Sequence, residues 1–273
     1  MRITLVACTL LALALPDSGE AGTPVSQRVT CPIGGRSFEY VTTASYSTWG
    51  ARPDGRPFGS WEFPLALPEC PDNGLVMYRA FSEEEAARLR PLVASPEYQA
   101  LRRSGDTSYY RAYWLMGRMD APVPETLWML VQATWQAEGD PALRRRYLEE
   151  LVARGPELGV PRDLVGIAMR SRVINALREL GRFDEALAML DATDFDAFPE
   201  RSAETERELS TWRGHYWTLR RIIARRDPSI EPLDQIPWRE ARPRCEAGGD
   251  RLDETQRAIC RERGERFSRP AGD

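Results

Sequence analysis

Residues 173–190 read VINALRELGRFDEALAML. The stretch spells a helix, a stop and a second helix. Leu177 and Leu180 close one apolar face, and Gly181 stands where a left-handed helix cap is needed. Phe183, Ala186, Leu187 and Leu190 restart the apolar pattern at helical spacing. Ala186 is small where two helices must approach closely.

Working outward, residues 81–230 carry helical signals throughout. Ser82 followed by Glu83, Glu84 and Glu85 is a capping box, and its helix is expected to stop at or before Pro91. Ser95 and Pro96 open a second helix. Residues 107–119 carry Tyr109, Tyr110, Tyr113, Trp114 and Met116, and residues 124–138 carry Leu127, Trp128, Leu130, Val131 and Trp135. These two segments predict an antiparallel hairpin dense in aromatics. Such a stripe reads first as core. The functional alternative is a peptide-binding groove, with Tyr109, Tyr110, Tyr113, Trp114, Trp128 and Trp135 as candidate contacts. Asp140 caps a helix running to Arg154, and Asp163 caps the next. Residues 203–226 alternate Leu209, Trp212, Tyr216, Leu219 and Ile223 at spacings of three and four, one packed helix face. About eight helices with short loops predict a right-handed stack of hairpins, with an irregular α-bundle as the alternative.

The Gly181 hairpin resembles a tetratricopeptide repeat. Val173, Leu177, Gly181, Phe183, Ala186 and Leu190 fall where that family places its apolar, glycine, aromatic and small positions, while Arg170, Ile174 and Thr193 depart from it. The resemblance implies a helix-pair scaffold with no chemistry of its own.

Residues 22–80 have a different character, rich in glycine, proline, serine and aromatics. Residues 36–41, 60–63 and 75–79 are strand candidates, with turn chemistry at residues 50–55. A small, irregular β module is expected. Cys31-Pro32-Ile33-Gly34-Gly35 and Cys70-Pro71-Asp72-Asn73-Gly74 are alike. Both resemble the C-P-x-C-G knuckle of a zinc ribbon, with Gly34 and Asn73 in place of the second cysteine. The resemblance implies a four-thiolate site that has lost half its ligands, so no metal is expected. It also implies that Cys31 and Cys70, once neighbours on a metal, pair as a disulfide. Retained metal and other arrangements are the alternatives. Two knuckles ahead of a tetratricopeptide-like region are similar to an uncharacterised bacterial family, over most of residues 29–195, and bring no activity with them.

Residues 1–21 read as a secretory signal. Arg2 is the positive end, an apolar run follows, and Gly19-Glu20-Ala21 offers small residues for cleavage. The run is too short for a transmembrane helix. Leu5-Val6-Ala7-Cys8 also matches a lipoprotein box, so anchoring at Cys8 is a minor alternative. Export to the periplasm or beyond implies an oxidising compartment. There Cys245 and Cys260 read as a second disulfide, closing a loop worth roughly 3 kcal/mol. Residues 231–273 form a tail. Pro232, Pro237 and Pro243 make its start extended, and residues 250–262 make a short helix.

The chain has 273 residues, of which 42% are hydrophobic, enough for a substantial core. Its formal charge is -4, which argues against a nucleic-acid binder. Every basic residue is arginine. Without lysine there is no Schiff base and no P-loop. His215 is the single histidine, in mid-helix and without a nucleophile motif. The Arg144-Arg145-Arg146 run reads as a solvated face.

These readings converge on a mainly α (α+β) fold: tetratricopeptide-like hairpins at 81–230, preceded by a signal at 1–21 and a disulfide-tied β module at 22–80, and followed by a tail at 231–273. The expected function is that of a non-enzymatic exported envelope protein, a scaffold for a protein or peptide partner, with no cofactor. An enzyme acting on envelope polymer through carboxylates and His215, or a purely structural protein, are the alternatives.

Overall fold

The computed structural model describes residues 22–199 and 202–268. The leader and Cys8 readings lie outside these residues. Among the described residues, ten α-helices follow four short strands.

β1 (Thr23–Thr30) and β2 (Ser37–Ser45) form an antiparallel hairpin with Thr30 opposite Ser37. β3 (Thr48–Ala51) pairs with β4 (Pro57–Gly59) in a second ribbon. Neither two-stranded ribbon is stable alone, so each depends on what it touches. The strand expected at residues 36–41 is present as β2. The one expected at 60–63 falls just after β4, and residues 75–79 contribute only a bridge between Val76 and Glu69. The polar groups of Ser60 serve neighbouring turns: Ser60 Oγ accepts from Ser47 N–H, and Ser60 O accepts from Gly22 N–H.

The two knuckle-like turns fold alike. Cys31 N–H donates to Arg36 O at 2.9 Å and Gly35 N–H to Cys31 O at 3.1 Å. Cys70 N–H donates to Leu75 O at 2.9 Å and Gly74 N–H to Cys70 O at 2.9 Å. Gly35 and Gly74, at matched positions, have φ of +72° and +76°, which a side chain would strain. The turns are joined by a Cys31–Cys70 disulfide, with Cα atoms 5.6 Å apart.

Helices α1 (Glu83–Ala94), α2 (Pro96–Arg103), α3 (Ser108–Met116), α4 (Val123–Gln136), α5 (Pro141–Arg154), α6 (Leu164–Glu179), α7 (Phe183–Asp191) and α8 (Ala203–Ala224) follow in turn. From α3 to α8 each packs on the next, and α4 also touches α6 and α6 touches α8. The Ser82 capping box forms. Its helix, however, runs through Pro91 to Ala94. A proline inside a helix costs about 3 kcal/mol, but Leu89 and Val93, one on each side of it, are sealed in the core against Cys31, Cys70 and Leu75. That burial outweighs the missing hydrogen bond. The hairpin at 173–190 forms as α6 and α7. Gly181, at φ +76°, turns the chain, and Arg182 N–H closes back on Leu177 O at 2.8 Å.

The tail departs from expectation. α9 (Trp238–Gly248) occupies the stretch expected to be extended, with Pro237 at its cap and Pro243 inside it. Burial of Leu233, Ile236 and Ala241, with Trp238 packed on them, gives this segment a small core of its own. α10 (Glu254–Ser268) follows, and Cys245–Cys260 ties the two helices.

Candidate functional site

The loop between β3 and β4, residues 52–56, enters the helical body and meets a buried charge cluster. Arg52 is 7% exposed and Asp54 5%. The Arg52 guanidinium donates to both oxygens of Glu138, at 2.9 and 3.1 Å, and sits 2.6 Å from Glu231. Arg56 pairs with the same Glu138. Arg144 bonds Glu179 at 2.6 Å and lies 3.7 Å from Asp54. Arg172 donates to Pro53 O at 3.1 Å, and its guanidinium fills the space beside Gly55 where a Cβ would stand. Arg178, fully buried, donates to the carbonyls of Asp227 and Ser229 at 2.6 and 2.8 Å.

Electrostatics follow from this crowding. Burial opposes the charge on Glu138, but hydrogen bonds from Arg52 and the charges of Arg52 and Arg56 outweigh it, and its carboxyl falls below the usual range. Burial lifts Glu179 above that range despite Arg144. It also lowers Arg172 and Arg178. A buried network of this kind fixes geometry more than it adds stability. Here it locks the β module to α4, α5 and α6.

Beside the cluster lies a groove of about 1080 Å3 between the β module and the α3–α4 hairpin. Trp61 and Phe63 line one wall, and Ser108, Trp135 and Gln136 the other. Arg56 stands at its inner end and is held there by Glu138. Gln136 is positioned by Ser108 and by Tyr109 N–H at 3.0 Å. Trp135 is 4% exposed and its indole N–H has no partner. A second cavity of about 460 Å3 lies at the turn between α3 and α4, walled by Met116, Met119, Met129, Tyr78 and Trp128.

The six aromatic candidates divide. Tyr109, Tyr110 and Tyr113 are core residues with committed hydroxyls. Tyr109 donates to Leu65 O at 2.9 Å, and Tyr110 and Tyr113 both donate to Glu150, at 2.7 and 2.6 Å. Tyr110 also stacks on Tyr147 with centroids 4.3 Å apart. Trp114 is half-buried against Tyr98 and capped by Arg118. Only Trp128 and Trp135 border the two cavities, and their rings meet edge to face at 5.3 Å.

His215 stands apart, on the wall of a third cavity of about 150 Å3 bounded by Ala51, Arg52 and Pro53. Burial, then the charge of Arg172, pushes its imidazole down to about 4. The structure also corrects the reading of Arg144 as solvated: it is 4% exposed. Arg144 shares one helix face with Tyr147, Leu148 and Leu151, at offsets of three, four and seven, and that spacing was the available signal. Asp54 flanked by Arg52 and Arg56 showed only as turn chemistry.

Among the described residues no group of histidine, cysteine, aspartate and glutamate side chains is placed to hold a metal ion. No helix among them is long and apolar enough to cross a membrane. The chain matches no family model, no curated protein and no solved structure.

Proposed function

We propose that this chain is an exported envelope protein that holds a segment of another protein in the groove between its β module and the α3–α4 hairpin. The observation that carries this is the groove itself, walled by two tryptophans together with amide and hydroxyl groups. Ligand sites combine apolar walls with a few fixed polar groups in this way. Two disulfides support the export reading of the leader. The layering of α4, α6 and α8 supports a tetratricopeptide-like scaffold behind the groove. The enzyme reading has less behind it, because His215 lies on a different cavity from the groove and is neutral near pH 7.

The test is site-specific photo-cross-linking in the native envelope. A photoreactive residue at Ser108, on the groove wall, is expected to capture a discrete protein. One at Val165, 57% exposed on α6, is expected to capture none. Equal capture at both positions, or at neither, would overturn the assignment of the groove.

A further inference from the structure

α10 is held to the molecule by little besides one covalent bond. None of its described side chains is buried, and the helix it packs on is α9. Ile259 rests on the small core of Leu233, Ile236 and Ala241. Arg263 donates to the carbonyls of Leu233 and Ile236, and Phe267, 57% exposed, stacks on Trp238 with centroids 5.6 Å apart. The Cys245–Cys260 bridge supplies the rest. Both cysteines are half-buried and line an open cleft of about 450 Å3, walled also by Arg242, Glu246 and Arg261. We propose that Cys245–Cys260 is a thiol–disulfide exchange site, opened and closed by a protein dithiol, and that opening it releases α10. This stands apart from the groove.

The cleft gives an incoming thiolate access to the bridge, and its charge decides which sulfur leaves. Cys245 lies in the last turn of α9, where the negative end of the helix dipole opposes a thiolate. Arg242 beside it is taken up by Glu246 at 2.7 Å. Cys260 lies midway along α10, and Arg261 on the same cleft is exposed and bonded to no carboxylate among the described residues. An adjacent arginine favours a thiolate, and the sulfur better able to carry charge is the better leaving group. The partner's thiolate therefore attacks Sγ of Cys245, and the electron pair of the broken bond leaves on Cys260. The partner's second thiol, deprotonated, then displaces Cys245 from the mixed disulfide. The partner departs as a disulfide, and the two thiolates left on this chain take up the two protons its thiols gave up. Two electrons have passed to this chain.

Opening matters because of what remains. An isolated helix of this length is marginal in water. Without the bridge, α10 keeps only its arginine, its exposed aromatic stack and Ile259, so it comes away from Trp238 and the carbonyls of Leu233 and Ile236. Cys31–Cys70 offers no such route, because its cysteines are 2% and 0% exposed.

The experiment uses the whole oxidised protein. With reduced glutathione as the probe and iodoacetamide as the quench, peptide mapping is expected to find glutathione on Cys245 and the alkyl group on Cys260. Arg261→Gln is expected to slow this reaction about threefold, with circular dichroism unchanged. Hydrogen exchange after opening is expected to show α10 deprotected and α1 to α8 unchanged, with protection restored on reoxidation. In acid-quenched native envelopes, differential alkylation is expected to find Cys245 and Cys260 in both states, and Cys31 and Cys70 only oxidised. Glutathione mainly on Cys260 would overturn the assignment of the leaving sulfur. A bridge that opens only together with the loss of protection in α1 to α8, or an α10 that stays protected once the bridge is open, would overturn the release. A bridge wholly oxidised in the envelope under every growth condition would overturn its use by a partner.

Discussion

Each end of the chain is tied by a disulfide, and the two ties sit in opposite surroundings. Cys31 and Cys70 are 2% and 0% exposed, packed with Leu75, Leu89, Val93 and Tyr98. Cys245 and Cys260 are half-buried and line an open cleft with Arg242 and Arg261. Loop entropy does not separate them. Separations of 39 and 15 residues correspond to about 4 and about 3 kcal/mol. The difference lies in how each region joins the body. The β module sends residues 52–56 into buried charge among α4, α5 and α6. The tail is held by contacts such as the half-buried hydrogen bond from Trp49 Nε1 to Glu240 at 2.8 Å, and by the stacking of Trp238 on Phe267. A region that looks like an appendage in sequence is therefore part of the central core, whereas the tail reaches that core chiefly at its start, through Glu231, and otherwise packs on itself and on the β module.

The largest effect should come from breaking the module's anchorage. Arg52→Ala removes the buried cation that Glu138 and Glu231 share and leaves Glu138 with Arg56 alone and Glu231 with Arg244 alone. Removing one partner from a buried ion pair costs about 3–5 kcal/mol. Urea denaturation should show that loss as one cooperative transition across near- and far-ultraviolet circular dichroism. A loss below about 1 kcal/mol would mean the module is docked by its apolar contacts alone.

Next come the disulfides. Cys31→Ser with Cys70→Ser should lower global stability by about 4 kcal/mol. Cys245→Ser with Cys260→Ser should cost at most about 3 kcal/mol and act on α9 and α10, leaving the main transition in place. The same contrast is measurable without mutation. Mild dithiothreitol followed by alkylation and mass mapping should label Cys245 and Cys260 under native conditions. Cys31 and Cys70 should be labelled only as the protein unfolds. Simultaneous labelling of all four would erase the distinction between the two regions.

Helix-forming segments were legible because their signals are local. Caps at Ser82, Ser95, Asp140 and Asp163, the glycine at Gly181 and the apolar stripe of α8 each act within a few residues, and all appear where expected. The failures share another cause. Pro91 stays helical because distant residues bury Leu89 and Val93 on either side of it, and Pro243 stays helical in an element tied by the Cys245–Cys260 bridge and by Ala241 packed on Leu233 and Ile236; no local rule contains those energies. The charge cluster is non-local as well: Arg52 meets partners 86 and 179 residues away. The groove was half visible. Trp128 and Trp135 were in the aromatic stripe, but Trp61, Phe63 and Ser60 belong to a segment read as a strand, and only the fold sets them opposite α4.

The smallest predicted effect sharpens the comparison by giving the module a pH signature that the tail lacks. His215 faces the entering loop at Ala51, Arg52 and Pro53, and it is the only histidine in the chain. Its folded imidazole is pushed down to about 4, from an ordinary 6.5. Above pH 6.5 the ring is neutral in both folded and unfolded chains, and its contribution is fully present. As pH falls through 6.5, the unfolded chain takes a proton that the folded chain refuses, so stability drains away until about pH 4. The gap corresponds to about 3 kcal/mol, and partial exposure to water reduces the expected loss to about 2 kcal/mol. His215→Gln cannot take the proton and should lose that much less between pH 7 and pH 4.5 in urea denaturation. Glu138 does not confuse the reading. Its depressed carboxyl gives up stability only as pH falls below about 4.5, while the raised Glu179 acts in the opposite sense. If the Gln variant and the parent lose equal stability over that interval, water reaches the imidazole freely. The loop then does not seal this wall of the body, and the module is joined more loosely than its buried arginines indicate.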